Sequence, residues 1–327
     1  MNIDAIIHNA DLTEIAKLAG AELKFRNGEW RSACPIHSGE NRSSFVIFND
    51  GGKQKWNCFS RCGGGDVIDF VMAWRQCDFK AATEYLGGDN DITPEEAAQI
   101  TRQRSEAAKR NEIEKAEALR RARDEVNTSG RWMEYHANLD ALNKRELWRA
   151  RGIREDWQDF WMLGYCPSFD IGGHTTPTLS IPIMRGNDVL NIRHRLLDPL
   201  DPKDKYRPDR VGLGNSPFVA FYEHDLPDIL LVEGEIKAAV TASMIGLDGL
   251  QVIGIPGKMA FSCAAELLHD KNVVILFDPD ADAEAVKMAR KIGGRVAFLR
   301  MKIDDAIIAQ SLDKSGIRRL VRNARKI

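Results

Sequence analysis

Two short apolar runs constrain this 327-residue chain more than anything else in it. Asn-Val-Val-Ile-Leu-Phe runs straight into Asp278-Pro279-Asp280, and 45 residues upstream Asp-Ile-Leu-Leu-Val runs into Glu233-Gly234-Glu235. An unbroken apolar run of this length suits a strand covered on both faces, the situation of a parallel sheet flanked by helices. Such sheets present their functional groups at the C-terminal ends of the strands. Two of these strands side by side would bring Glu233, Asp278 and Asp280 to one edge. Like charges repel there unless a hard cation lies between them, so the pattern implies Mg²⁺. Glu235, beyond the glycine, is a weaker candidate for that edge.

The length admits about two or three domains. Lys plus Arg total 46 against 48 Asp plus Glu, so any nucleic acid must be met by local basic surfaces rather than a global positive field. Six cysteines are too few and too unevenly spaced for a disulfide framework. There is no signal-peptide pattern and no apolar run of membrane-spanning length. The expectation is a soluble protein of a reducing cytoplasm, with no membrane partner.

Composition divides the chain into segments. Residues 1–88 hold a cysteine/histidine cluster, with short helices expected at Asp11–Leu18, Asp66–Trp74 and Lys80–Leu86 and two strands at Phe45–Phe48 and Lys55–Phe59. Residues 89–128 are rich in Ala, Glu, Arg and Lys. Thr93-Pro94-Glu95-Glu96 is a capping box with proline at the first helical position, so this segment reads as a long charged helical linker. Residues 129–226 are mixed, with scattered Arg and Lys. Residues 227–310 alternate short strands with helices, the pattern of a parallel α/β sheet. Residues 311–327 read as a basic C-terminal helix. The overall class is α/β, α+β across the whole chain.

The cluster is Cys34-x2-His37, twenty intervening residues, then Cys58-x3-Cys62. Two ligand pairs on two tight turns, separated by a hairpin, make a tetrahedral Zn²⁺ site. Four protein ligands fill the coordination sphere, so this zinc is structural. Cys77, Cys166 and Cys263 have no such partner and read as small core residues. Arg42, Phe45, Phe48, Lys53, Lys55, Trp56, Phe59 and Arg61 lie around the cluster. The aromatics serve either as a mini-core or as stacking platforms for single-stranded DNA. Lys53, Lys55 and Arg61 are the better candidates for nucleic acid.

These residues resemble a known group. Cys34-Pro-Ile-His37, Ser44-Phe45-Val46, Trp56-Asn-Cys58-Phe59 and Cys62-Gly-Gly-Gly65-Asp66-Val-Ile-Asp-Phe70-Val look like the zinc-binding domain of DnaG-type DNA primases of bacteria and phages. Leu231-Val-Glu233-Gly234, Phe277-Asp278-Pro-Asp280 and Lys302-Ile-Asp304-Asp305 look like the Toprim domain of the same proteins. Between them, Ile181-Pro182-Ile183, Asn191-Ile-Arg193-His-Arg195 and Lys205-Tyr206-Arg207 resemble the basic N-terminal part of the primase core. The order of zinc finger, basic subdomain and Toprim is itself specific. There are departures. The second zinc pair is Cys-x3-Cys where the family has Cys-x2-Cys, and Asp-Pro-Asp stands for Asp-Gly-Asp. The segment after residue 310 is too short for the helicase-binding domain of cellular primases, so the resemblance is to a reduced form of the phage or mobile-element kind.

The resemblance implies template-directed synthesis of short RNA primers by metal-dependent nucleotidyl transfer. The 3′-hydroxyl attacks the α-phosphate and pyrophosphate leaves, with divalent metal and cationic side chains meeting the developing charge. It implies Mg²⁺ or Mn²⁺ on Asp278 and Asp280, with Asp304 or Asp305 as a further ligand and Glu233 as metal ligand or proton-transfer group. Asp304 and Asp305 are equally readable as an N-cap for a helix at Ala306–Gln310. Arg193, Arg195, Lys205, Tyr206 and Arg207 are the candidates to hold template and NTPs, and Lys237 and Lys258 are weaker ones. Implied partners are single-stranded DNA, NTPs, and a replicative helicase or single-strand-binding protein, in the bacterial host cytoplasm or nucleoid. Two other classes stay open: a non-catalytic mediator of the RecR type, which also combines a zinc finger with a Toprim domain, and a Toprim nuclease.

Overall fold

The computed structural model describes residues 3–26, 28–39, 41–88, 93–201, 205–257 and 260–327; Lys258 lies outside them. The chain divides into two compact units, Met1–Ala116 and Glu117–Ile327.

The first unit opens with α1 (Ile3–Asn9) and α2 (Leu12–Leu18), followed by β1 (Lys24–Arg26), β2 (Glu29–Ser32), β3 (Phe45–Asp50), β4 (Lys53–Cys58) and β5 (Gly63–Gly65). The strands form one five-stranded antiparallel sheet in sequential order. Asp11 caps α2, accepting from the Thr13 backbone N–H at 2.8 Å. Gly51 and Gly52, at φ of 58° and 81°, take the positive dihedrals a tight β3–β4 hairpin needs. Then come α3 (Val67–Arg75) and α4 (Phe79–Tyr85). Asp66 and Asp69 form a full capping box for α3. Phe45, Trp56 and Phe70 pack with ring centroids 5.6 to 5.8 Å apart. Each is fully buried, worth about 1.5–3 kcal/mol. These aromatics are therefore core, not stacking platforms. Phe59 is the contrast at 65% exposed.

Pro94–Ser129 is one 36-residue helix, α5. Its N-terminus carries the expected box, with the Thr93 N–H donating to Glu96 Oε2 at 2.9 Å and the Glu96 N–H to Thr93 Oγ1 at 3.3 Å. Within the first unit Arg104 of α5 binds Asp66 at 3.0 Å and Asp69 at 2.5 Å. Within the second, Asn127 exchanges hydrogen bonds with the Val189 backbone.

The second unit continues with α6 (Arg131–Ala141), α7 (Glu146–Arg149) and α8 (Glu155–Phe160). A four-stranded antiparallel sheet follows: β6 (Gly164–Asp170), β7 (Thr175–Arg185), β8 (Asp188–Leu196) and β9 (Tyr206–Pro208). The remaining elements are β10 (Phe218–Val219), β11 (Asp228–Glu233), α9 (Glu235–Ile245), β12 (Leu250–Ile255), β13 (Asn272–Leu276), α10 (Asp282–Ile292), β14 (Arg295–Val296), α11 (Ile303–Ile308), α12 (Lys314–Arg322) and β15 (Arg325–Lys326). Their six strands form a second sheet in the order β10-β12-β11-β13-β14-β15. The four inner strands are parallel and both edges antiparallel.

This sheet reaches beyond the segment 227–310 at both ends. β10 comes from upstream, pairing Phe218 with Gly254, and β15 comes from the tail, pairing Arg325 with Val296. The tail holds the expected basic helix, α12, and then adds a short edge strand. Ile317 on α12 is fully buried in the main core, and the final residues turn to strand because β14 leaves an edge to pair.

Strand alternation gives β8 two different faces. His194 points to a buried node. Its Nδ1 lies 2.7 Å from Thr178 Oγ1 and its Nε2 3.1 Å from Asp209 Oδ1, and Phe169 stacks on the ring at 3.9 Å. Arg131 reaches Asp209 at 3.1 Å. Burial pushes the His194 pKa below its ordinary 6.5, with Asp209 opposing. A histidine lowered in the fold binds its proton more readily in the unfolded chain. Stability is then fully present above about pH 6.5 and is lost as pH falls below it. We expect the urea midpoint to fall on acidification from about pH 7 to 5, and His194→Gln to flatten that slope. Asp209→Asn removes the buried carboxylate that Arg131 pairs with and that His194 contacts, and should cost about 1–3 kcal/mol of unfolding free energy.

Candidate metal centres and cationic face

Cys34, His37, Cys58 and Cys62 form a zinc site in the first unit. Their ligand atoms lie within 4.8 Å of one another, the one such group of three or more among the described residues. Cys34 Sγ and Cys62 Sγ are 3.9 Å apart, and Cys58 Sγ is 3.9 Å from His37 Nδ1. Sulfurs bound tetrahedrally at about 2.3 Å stand about 3.8 Å apart, so the cage has the size of a zinc sphere. β4 delivers Cys58, and the turn before β5 delivers Cys62. Both turns aim backbone N–H groups at sulfur: Ile36 and His37 at Cys34, and Cys62, Arg61 and Ser60 at Cys58. Burial pushes the Cys34 thiol up to about 12, more than those N–H groups offset. At Cys58 burial works the same way, but the three N–H groups outweigh it and the pKa falls. The cage needs a cation to hold its thiolates together. Gly39 packs against the ligand imidazole, where a Cβ would lie 2.7 Å from His37 Nε2.

Of the basic residues around the ribbon, Lys53 pairs with Asp4 at 3.0 Å and Lys55 with Asp50 at 2.5 Å, so both have protein counter-ions. Arg61 is exposed.

In the second unit Glu233 ends β11, and Asp278 follows two residues after the end of β13. The register pairs Val232 with Leu276, so both carboxylates leave the same sheet edge on neighbouring strands. Strand order places that edge at a switch point: β11 leads to β12 on one side, and β13 returns on the other. Gly234 lets the chain turn from β11 into α9, at φ 96°. Asp278 is 8% exposed, whereas Asp280, in the short 3-10 turn Pro279–Ala281, is open to solvent. Asp304 and Asp305 occupy the first turn of α11 and are not N-caps; Lys302 holds that position. Burial raises the Asp304 pKa, Lys237 lowers it, and its Oδ1 is buried without a hydrogen-bond partner. Asp305 is exposed.

The acids share an edge without meeting at one point. Among the described residues no three carboxylates have donor atoms within 4.8 Å of each other. Lys237, in the first turn of α9, stands among them and donates to Asp278 Oδ2 at 2.8 Å. Lys302 is 3.6 Å from the same oxygen.

Beside this edge lies the other face of β8. Arg193 and Arg195 point to the side opposite His194, and cross-strand pairing sets Tyr206 beside Arg195. Arg195 donates to the Tyr206 hydroxyl at 3.1 Å. Arg193 Nε lies 3.2 Å from Glu235 Oε1, an ion pair without hydrogen-bond angles. Glu235 is only 2% exposed. Burial and the neighbouring Arg195 depress the Arg151 pKa, while Tyr206 and Asp304 oppose them. Arg207 opposes His194 in the pairing and so faces away from Arg193 and Arg195; Lys205 is exposed ahead of β9. The sequence reading missed Arg151, which lies far from the other arginines along the chain. It also gave Glu235 too little weight, since nothing in the local pattern reveals its partner on β8.

Residues 1–102 match the CHC2 zinc finger family. Curated relatives described as DNA primase, from Pseudomonas aeruginosa and Pseudomonas putida, are 32% identical over 84 residues. Those alignments cover 26% of this chain and 12% of each relative. Among solved structures, the Aquifex aeolicus primase (zinc-binding and RNA polymerase domains) is similar at 20% identity, over 100% of this chain and 87% of that one, with a TM-score of 0.47. A DnaG primase catalytic domain bound to single-stranded DNA is similar at 17% identity, over 65% of this chain and 83% of that one, with a TM-score of 0.49.

Replacing a knuckle ligand removes one corner of the cage. Cys58→Ser should lower bound zinc well below about one per chain and destabilise the ribbon. Metal analysis together with thermal melting of the purified protein checks this.

Proposed function

We propose that this chain is a DNA primase that makes short RNA primers on single-stranded DNA by metal-dependent nucleotidyl transfer. The observation that carries the reading is the juxtaposition, in one unit, of acids at two parallel strand ends with the arginine face of β8. Arg193 on β8 pairs directly with Glu235 on α9, just past Glu233. The CHC2 match supplies a zinc ribbon upstream, and curated relatives similar over 84 residues are described as DNA primase.

The edge suits Mg²⁺ or Mn²⁺ in its donors. Glu233, Asp278, Asp280, Asp304 and Asp305 offer hard carboxylate oxygens, and Asp304 Oδ1 is buried without a hydrogen-bond partner. In our reading Asp278 and Asp280 hold the metal, with Asp304 or Asp305 as a further ligand and Glu233 as ligand or proton-transfer group. When bound, the cation neutralises phosphate charge and activates the attacking hydroxyl. Arg151, Arg193 and Arg195 carry more positive charge than Glu235 answers. That surplus suits the triphosphate and template backbone, and the Tyr206 ring gives a flat wall to the same face. Arg207 and Lys205, pointing elsewhere or exposed, fit template-backbone contacts better than nucleotide contacts. The ribbon holds zinc for structure and bears Arg61 and Phe59 as its exposed contacts for template. A helicase or single-strand-binding partner is part of the proposal on resemblance alone.

The test is incubation with single-stranded DNA, NTPs and Mg²⁺ or Mn²⁺, with short RNA as the expected product. Tight DNA binding without product would favour the mediator, and cut DNA the nuclease. Replacing both Asp278 and Asp280 by alanine should reduce synthesis by at least about 100-fold with zinc content unchanged. Synthesis near the wild-type rate would reject the site assignment.

A further inference from the structure

The acid edge contains its own cation. Lys237 Nζ donates to Asp278 Oδ2 at 2.8 Å, and both side chains are largely buried, 15% and 11% exposed. Lys237 also acts electrostatically on Asp304, the acid with the unpartnered buried oxygen. Lys302 is a looser neighbour, 53% exposed and 3.6 Å from Asp278. One ammonium therefore occupies a carboxylate oxygen of Asp278 that a divalent ion would need, and lies near enough to Asp304 to act on it.

We propose that Lys237 is a resident counter-cation that a divalent metal must displace, and that it couples metal binding to triphosphate binding. The proposal rests on the primase reading of this edge. An ammonium and a divalent cation cannot share Asp278 at contact distance without strong repulsion. The lysine stem has four carbons and free rotation, so the ammonium can swing away while α9 stays in place. Once displaced it is a largely buried cation without its carboxylate, a state that is unfavourable until another anion arrives. A nucleoside triphosphate bound with the metal supplies that anion. Metal alone then binds weakly, and metal with nucleotide binds well, by the reciprocity any such coupling obeys.

The test measures Mn²⁺ binding by the loss of free-ion paramagnetic resonance signal, using the full zinc-loaded chain. Wild type, Lys237→Met, Lys302→Met and Asp278→Asn are compared with and without a non-hydrolysable ATP analogue. Methionine keeps the aliphatic stem and the helix, and circular dichroism with zinc content checks folding; Lys237→Gln serves as a second neutral variant. Lys237→Met should raise Mn²⁺ affinity without nucleotide by about tenfold and lose most of the enhancement by the analogue. Lys302→Met should change it by no more than about twofold. An unchanged or weakened affinity in both Lys237 variants, while wild-type binding still depends on Asp278, overturns the proposal and leaves the primase reading standing. Mn²⁺ binding indifferent to Asp278→Asn in every background overturns the metal edge and this proposal with it.

Discussion

Burial of β11 on both faces is the constraint from which the second unit follows. Ile229 to Val232 are at most 2% exposed, and β12 and β13 flank the strand in parallel. A strand so enclosed has nowhere to place a charge except at its end. The chain does so at Glu233, and β13 does the same two residues past Leu276. Parallel pairing then forces both groups to the same side of the sheet. Their proximity follows from hydrogen-bond direction and register, not from attraction between them, since the acids repel. Whatever offsets that repulsion becomes the chemistry of the edge, and here it is a lysine on the following helix.

The zinc cage faces a related difficulty and meets it differently. Its Cys34 and Cys58 sulfurs are held by backbone N–H groups of two tight turns, and the hairpin between them is fixed by the Phe45, Trp56 and Phe70 core. Little freedom remains for the ligands to drift, which suits a metal whose role is to close a small domain. At the acid edge the donors come from β11, β13 and α11 and are not preassembled. Among the described residues no three of those carboxylates have oxygens within 4.8 Å of one another, so in the proposed reading the metal and a bound triphosphate would complete that site, whereas the zinc site is closed by its protein ligands.

Much of this was legible in the sequence because it rests on local chemistry. Cys34-x2-His37 and Cys58-x3-Cys62 announce a four-ligand cage by spacing alone, and with three residues between its ligands the second knuckle aims the N–H groups of Ser60, Arg61 and Cys62 at Cys58. Apolar runs ending at Glu233 and Asp278 announce covered parallel strands. What stayed hidden depends on partners distant along the chain. Lys53 gives no local sign of its exposed ion pair with Asp4, 49 residues away. Arg207 looks like a companion of Arg193 and Arg195, but antiparallel register sets it opposite His194. The basic tail looks like a solvated helix until β14 is seen with an open edge. Arg151 carries no local mark at all. It becomes part of the face only when the chain following α7 is brought against β8.

The two faces of β8 tie stability to the site. Arg193 and Arg195 alternate with Ile192, His194 and Leu196, so the arginines can face the acids only while the strand keeps its register. The opposite face fixes that register. His194 is clamped between Thr178 and Asp209, and the Asp209 N–H donates to the Ile192 carbonyl at 2.7 Å, holding the segment after β9 against β8. A one-residue slip would drive both guanidinium groups into that apolar and polar interior and bring His194 to the surface. Such a slip would leave two buried cations with one carboxylate, so the register is held from both sides. The buried node is thus a positioning device for the cationic face, although none of its atoms touches the acid edge.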